Sequence, residues 1–276
     1  MKTALVIADL EGIAGVDDAA DLAFGGAGHE AACAAMAEEV AVVCQTLLAN
    51  GYGQVRVSDS HRSGSGHPNL DPRKLPPGAF LHWDEDAYAP ELFEGASAVA
   101  CLGMHAGGRT HGFGAHTVQA HAAWRCGFRL VNESELVLGL AHEHGVPVLF
   151  VSGDQVLAQS VGAIAPFVLT KRALSVRTAR SFPKEMVHLS LARAASAEPQ
   201  RALPPPRGPI AVERKTGGPV SFARGKSFGE RYRAALALSE ASLVELEGKV
   251  DGEPGTVAFA QSAAELLAAP WPLRSP

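Results

Sequence analysis

Three short runs of β-branched and apolar residues, TALVIAD, QVRVSD and AVACLGM, each lead straight into a side chain able to bind a metal, and longer Ala-, Leu- and Glu-rich stretches separate them. Strand-length runs alternating with helix-length ones fit a mostly parallel sheet, because parallel neighbours need a long crossover rather than a tight turn. VPVLFVSG and APFVLTK extend the series. The segment HEAACAAMAEEVAVVCQTLLANG keeps an apolar stripe at helical spacing and closes on Asn50-Gly51, so it is predicted to be the crossover between the first two strands. ESELVLGLAHEHG follows Asn132 with acidic residues in its first turn, which predicts a helix that begins at Glu133 and feeds the strand VPVLFVSG.

The expected fold class is α/β: a mostly parallel Rossmann-like sheet flanked by helices, with a smaller C-terminal α/β lobe. AEPQRALPPPRGP carries five prolines and no periodicity. The predicted organisation is a metal-binding catalytic domain over 1–197, a Pro-rich connection over 198–209 and the smaller lobe over 210–276, within the same compact unit or beside it. In that lobe PIAVERK reads as a strand, FGERYRAALALSEASLVELE contains a helix, and GTVAFAQSAAELLAAP reads as a strand followed by a helix. WRCGFRLV reads as a hairpin, and SGSGHPNLDPRKLPPGA as a loop flanking the site.

Of the 276 residues 47% are hydrophobic and 19% charged, enough apolar material for a large core. A net charge of -5 and the lack of a Lys/Arg-rich run beside aromatics argue against nucleic acid as a partner. Asp9 and Glu11 interrupt the opening apolar run too early for a signal peptide. LVLGLAHEHGVPVLFV is broken by His142, Glu143 and His144, short of the roughly 20 apolar residues of a membrane span. A cytoplasmic protein without a membrane partner is expected. Cys33, Cys44, Cys101 and Cys126 lie far apart without C-x-x-C spacing, which reads as buried free thiols.

Asp9 and Glu11 stand two apart at the end of an extended run and face one side. Asp59-Ser60-His61 and Gly103-Met104-His105 end two further strands. In an open α/β sheet these carboxyl ends form the edge where ligands bind. Singly, each residue is as well explained as a turn residue, a helix cap or a hydrogen-bonded histidine. Their convergence favours a site. The donors are oxygen and imidazole nitrogen without sulfur, which suits zinc or manganese and, more weakly, cobalt or nickel. With Glu133 they number five, whereas one catalytic zinc takes about three protein ligands. Two ions roughly 3.5–4 Å apart, sharing one carboxylate, would use them all and would promote hydrolysis. THGFGAHTVQAHAAW adds His111, His116 and His121 as acid, base or clamp candidates, each equally readable as a surface histidine. Lys171 reads as a carboxylate binder or, more simply, as a solvated strand-end lysine.

VIADLEGIAG, VSDSH, CLGMHA, GAHTV, RLVNE and VPVLFVSGD, in that order, resemble the landmarks of the bacterial zinc-dependent D-aminopeptidase family of self-compartmentalising enzymes, over residues 3 to 171. The resemblance implies two Zn²⁺ per subunit (Mn²⁺ or Co²⁺ as substitutes) held by Asp9, Glu11, His61, His105 and Glu133. It also implies Asp9 as the bridging carboxylate and His116, before Thr117, as the catalytic histidine. Glu135 is the alternative to Glu133. Further implications are short peptides or amino-acid amides as substrates, D-amino-acid peptides among them, and a homo-oligomer in the form of a ring-shaped decamer. The apolar-rich GTVAFAQSAAELLAAPWPL suits an interface. Two other functions remain open on the residues: a metal-dependent phosphoesterase, disfavoured because no Gly-rich phosphate cradle accompanies the ligands, and a small-molecule binding domain without catalysis.

Overall fold

The computed structural model describes residues 1–63, 65–83, 86–120, 122–215 and 219–247, with side chains as far as residue 239. Strand β1 (Thr3–Ala8) is buried along its whole length and leads through a loop into α1 (His29–Ala49). The chain then forms β2 (Gln54–Asp59), β3 (Ala79–His82) and β4 (Ala98–Met104), followed by the hairpin β5 (Ala122–Cys126) and β6 (Arg129–Val131). Helix α2 (Glu133–Glu143), β7 (Val148–Asp154), α3 (Gln155–Val161), β8 (Phe167–Ala173), β9 (Ala179–Ser181) and α4 (Lys184–Ala195) come next. β10 (Ile210–Arg214), β11 (Ser221–Ala223) and α5 (Phe228–Glu247) close the described chain.

Seven strands form one sheet in the order β3-β2-β1-β4-β7-β8-β9. All its pairings are parallel except β8 with β9. This is the α/β fold that the alternating pattern predicts. The chain first winds outward from β1 to β3 and then restarts on the other side of β1 with β4, so the strand order reverses between β1 and β4. Such a switch point leaves a crevice at the carboxyl ends of the two strands, because their crossovers leave toward opposite sides.

Successive residues of β1 serve two different cores. Leu5 and Ile7 pack with α2 and α5, and Ala4, Val6 and Ala8 pack with α1 and α4. A strand buried on both faces has no polar alternation, which explains why TALVIA is continuously apolar. On one face Met36, Val40, Val43 and Leu47 of α1 are wholly buried, each contributing about 1.5–3 kcal/mol. By length and composition α1 is also the one helix among the described residues that could cross a membrane. Its buried side is instead part of this core.

Helix α2 starts as its sequence predicts. The Asn132 side chain accepts from Glu135 N at 3.0 Å while Glu135 Oε2 accepts from Asn132 N at 3.1 Å, a reciprocal capping box. The predicted hairpin and the predicted strand PIAVERK join in a second sheet of four strands, β11-β10-β5-β6, so β10 pairs antiparallel with β5 across a long stretch of chain. Helix α5 packs on this sheet and on α2, and Trp124 of β5 donates to Ser239 Oγ at 2.9 Å. The predicted strand and helix in GTVAFAQSAAELLAAP lie outside the described residues. All four cysteines are free thiols; Cys44, Cys101 and Cys126 are buried as expected, whereas Cys33 on α1 is only half-buried.

Candidate metal centre

The ends of β1, β2 and β4 carry the predicted residues to the switch point. Asp9 N donates to Leu102 O at 2.8 Å and Gly12 N to Gly103 O at 2.7 Å, so the β1–β4 pairing continues past the strands and fixes the Asp9-Leu10-Glu11 segment against β4. Gly103 sits at φ +70, and a Cβ there would lie 2.2 Å from Asp9 O. Any side chain at 103 would push apart the two backbones that hold Asp9 and His105.

Asp9 occupies the middle of the resulting cluster. His61 Nδ1 lies 3.3 Å from Asp9 Oδ1 and 3.0 Å from Glu11 Oε2. On the other side His105 Nε2 lies 3.4 Å from Asp9 Oδ2 and 3.3 Å from Glu133 Oε1. The structure thus forms two donor triads, Asp9–Glu11–His61 and Asp9–His105–Glu133, with each triad using a different oxygen of Asp9. All five residues are buried. Glu133, first residue of α2, reaches the cluster; Glu135 turns back to its capping box and to Arg129.

Each histidine has its second nitrogen committed elsewhere. His61 Nε2 is 2.7 Å from Leu22 O and His105 Nδ1 is 3.0 Å from Ala106 O. A carbonyl can only accept, so each of these nitrogens carries the proton and the opposite nitrogen presents a lone pair to the cluster once the ring is neutral. Carboxylates are steered in the same way. Glu133 accepts from the Tyr88 hydroxyl through Oε2 and from Val118 N at 2.7 Å through Oε1. Asp59 is not in the cluster. It accepts from His61 N at 3.1 Å, Asn69 N at 2.6 Å and Leu70 N at 2.9 Å, and so sets the turn that aims His61.

Three buried carboxylates in contact require compensating positive charge. Burial opposes charge on both histidines, yet Glu11, Asp9 and Glu133 outweigh it and raise His61 and His105 well above the usual imidazole range. Burial likewise pushes Asp9 and Glu133 up, but the histidines overcome it and leave both acids below their ordinary values. The same charge balance suits divalent cations that displace those protons. A specific observation supports the fit: His105 Nε2 is buried without a hydrogen-bond partner among the described residues, although it points among carboxylate oxygens. An all-oxygen-and-nitrogen donor set matches zinc or manganese.

His116 stands at the edge of the cluster, half-buried, with its ring stacked on His105 at 4.1 Å between centroids. Its Nδ1 is 2.7 Å from Gly114 O, and its Nε2 is 3.7 Å from Glu133 Oε1. Glu11, His105 and His116 also fall within metal-binding reach of one another, so position alone allows His116 to be a ligand or a proton carrier. His111 is exposed, away from the cavity lining, and His121 lies outside the described residues.

Lys171 is fully buried rather than solvated. Its ammonium donates to Glu11 O at 2.7 Å and to Val16 O, and lies 4.8 Å from the Phe113 ring centroid. Burial lowers its pKa to about 8 despite nearby acids. Lys171 therefore clamps the loop that carries Glu11 from behind. Tyr88, Asp86 and Tyr232 also line the cavity, and no periodic or motif signal marks them in the sequence.

A sequence profile describing D-aminopeptidases matches residues 1–222. Comparison with curated proteins yields no match. Among solved structures, the Zn-dependent D-aminopeptidase DppA from Bacillus subtilis, described as a self-compartmentalizing protease, superposes with a TM-score of 0.77 at 24% identity, covering 92% of this chain and 100% of that one. At that identity the likeness establishes the shared α/β fold.

Proposed function

The chain belongs to the D-aminopeptidase family of peptidases, and from that premise we propose that it hydrolyses the N-terminal amide bond of short peptides or amino-acid amides, D-amino-acid peptides among them, with a dinuclear zinc centre. The observation that carries the reading is the division of Asp9, whose Oδ1 faces His61 and whose Oδ2 faces His105. Asp9 would then be shared by two ions, with Glu11 and His61 as the other residues that would hold one and His105 and Glu133 those that would hold the other. When bound, such a pair polarises the scissile carbonyl and makes hydroxide available near neutral pH.

The rest falls to the protein. His116, with its Nδ1 proton held by Gly114 O, presents Nε2 as the acid/base group beside the reacting amide. The buried acids and histidines keep their geometry because their outer atoms are already hydrogen-bonded. We further propose a cytoplasmic homo-oligomer, on the family membership and on the self-compartmentalizing description of the similar structure.

Metal analysis of purified protein combined with hydrolysis of D- and L-dipeptides, amino-acid amides and an aryl phosphate tests the reading. Two metals per chain and cleavage of amides are expected. Cleavage of the phosphate alone would make the protein a phosphoesterase, and failure to bind metal would leave a non-catalytic binding domain.

A further inference from the structure

An aminopeptidase differs from other peptidases in requiring a free α-ammonium group on its substrate, and the five metal-ligand candidates do not explain how that group is read. Among the described residues four carboxylates line the cavity: Asp9, Glu11, Glu133 and Asp86. The first three are taken up with His61, His105 and one another. Asp86 is separate. Its Oδ1 accepts from Tyr88 N at 2.9 Å and from the Tyr232 hydroxyl at 2.6 Å, and no partner holds its Oδ2 among the described residues. It is half-buried beside Ala87, Tyr232 and Leu236, which line the cavity with it.

We propose that Asp86 binds the substrate's free α-ammonium group and so restricts this enzyme to chain ends. The inference rests on the aminopeptidase reading of the same cavity. Its geometry depends on Tyr88, whose backbone nitrogen is bonded to Asp86 and whose hydroxyl is bonded to Glu133. A single residue thus spaces the free acid from the metal cluster. The α-amino nitrogen of a peptide is two bonds from its scissile carbonyl carbon, so a carbonyl at the cluster brings the ammonium toward the acid at the other end of that tyrosine. An ammonium–carboxylate bond beside apolar walls is a charge-assisted contact shielded from water. Tyr232 and the Tyr88 backbone hold Oδ1, leaving Oδ2 for the substrate.

Two ligands that differ only in the amine isolate this contact: D-alanine hydroxamate and propionohydroxamate, both anchored to the metals through the same hydroxamate. Calorimetric titration of the metal-loaded protein should show the amine-bearing ligand binding roughly 10- to 100-fold more tightly. Asp86→Asn keeps an Oδ1 acceptor for Tyr88 and Tyr232 but removes the charge. It should collapse that ratio to near one while leaving metal content and propionohydroxamate affinity unchanged. Tyr232→Phe, which retains the carboxylate, should preserve most of the ratio. An unchanged ratio in Asp86→Asn overturns the proposal, as does an equal loss of both affinities, which would show that Asp86 only supports the scaffold. Failure of wild-type protein to take up metal or bind either hydroxamate is a distinct result that removes the aminopeptidase reading and this inference together.

Discussion

The edge of the parallel sheet and the loop over 107–120 both deliver histidines to one cavity, but they hold them differently. His61 and His105 follow strand ends and are 8% and 1% exposed, and one ring nitrogen of each is held by a backbone carbonyl while the other faces the cluster. His116 comes from a stretch without regular elements, held by side chains: Asp154 Oδ2 accepts from Phe113 N at 2.8 Å, and Thr117 Oγ1 accepts from Gly108 N at 3.1 Å while donating to Val131 O. That loop also contains both non-glycine residues with positive φ among those described, Arg109 at 70° and Val118 at 65°. A β-branched residue in that region is strained by about 1–3 kcal/mol. Groups that must not shift are thus placed by ladder hydrogen bonds. His116, the proposed proton carrier, is placed by a loop the sheet merely supports.

The largest expected effect lies at the sheet edge. Asp9→Ala should abolish amide hydrolysis and lower metal content by more than one ion's share, whereas His61→Ala or His105→Ala should weaken one site preferentially. Two metals retained in Asp9→Ala, measured by mass spectrometry of the elements, would deny the edge its shared carboxylate. On the loop, His116→Ala should lower kcat by roughly 10²- to 10⁴-fold with metal content unchanged. Metal lost along with activity would move His116 into the ligand set, and a larger defect in His111→Ala would move the catalytic assignment there.

Behind the edge, Lys171→Met should destabilise the protein by about 1–3 kcal/mol for each carbonyl left without a donor, read by denaturant unfolding. No loss of stability would show that the clamp on Glu11 and Val16 is dispensable. Glu39 offers a milder test of the same backing: it accepts from Ala14 N at 2.8 Å, and burial raises its pKa to about 8. The folded protein therefore keeps a proton there that the unfolded chain loses near pH 4.5. Stability from this group falls as pH rises from about 4.5 toward about 8, and Glu39→Gln should flatten that part of the curve. An unaltered curve would mean that Glu39 is ionised in place. Smallest of all, Val118→Gly should relieve the strained backbone and hold or raise the melting temperature, yet lower turnover several-fold by loosening the Glu133 contact. Unchanged turnover would show that the loop's strain does not serve the site.

Most of the large sheet was legible because strands buried on both faces are largely apolar, as in TALVIA, AVACLGM and VLFVSGD, while QVRVSD shows the alternation of a strand with one face less buried. The residues after them were legible for the same reason, since a strand end fixes where the next side chain stands. β3, β9 and β11 are three or four residues long, too short for periodicity to show. The pairing of β10 with β5 depends on surfaces far apart in sequence, which no local pattern encodes. Lys171 looked solvated because a lysine after a strand generally is; two carbonyls and an aromatic face offered by a distant loop make it buried. Asp86 and Tyr88 were invisible in the same way, since their meaning comes from Tyr232 and Glu133. That Glu133 rather than Glu135 reaches the cluster follows a local rule: the capping box claims the third residue of α2 and frees the first.

Tyr232 and Leu236, which line the cavity, belong to α5, and the β5–β6 hairpin beneath them pairs with β10. A ribosome delivers Asp9, Glu11, His61, His105 and Glu133 long before it delivers either of those side chains or the strand that pairs with the hairpin. The five donors are thus complete in sequence by residue 133, whereas part of the cavity wall comes from α5. Under the proposed function, chain order puts the groups that would hold ions ahead of the wall that would hold a peptide.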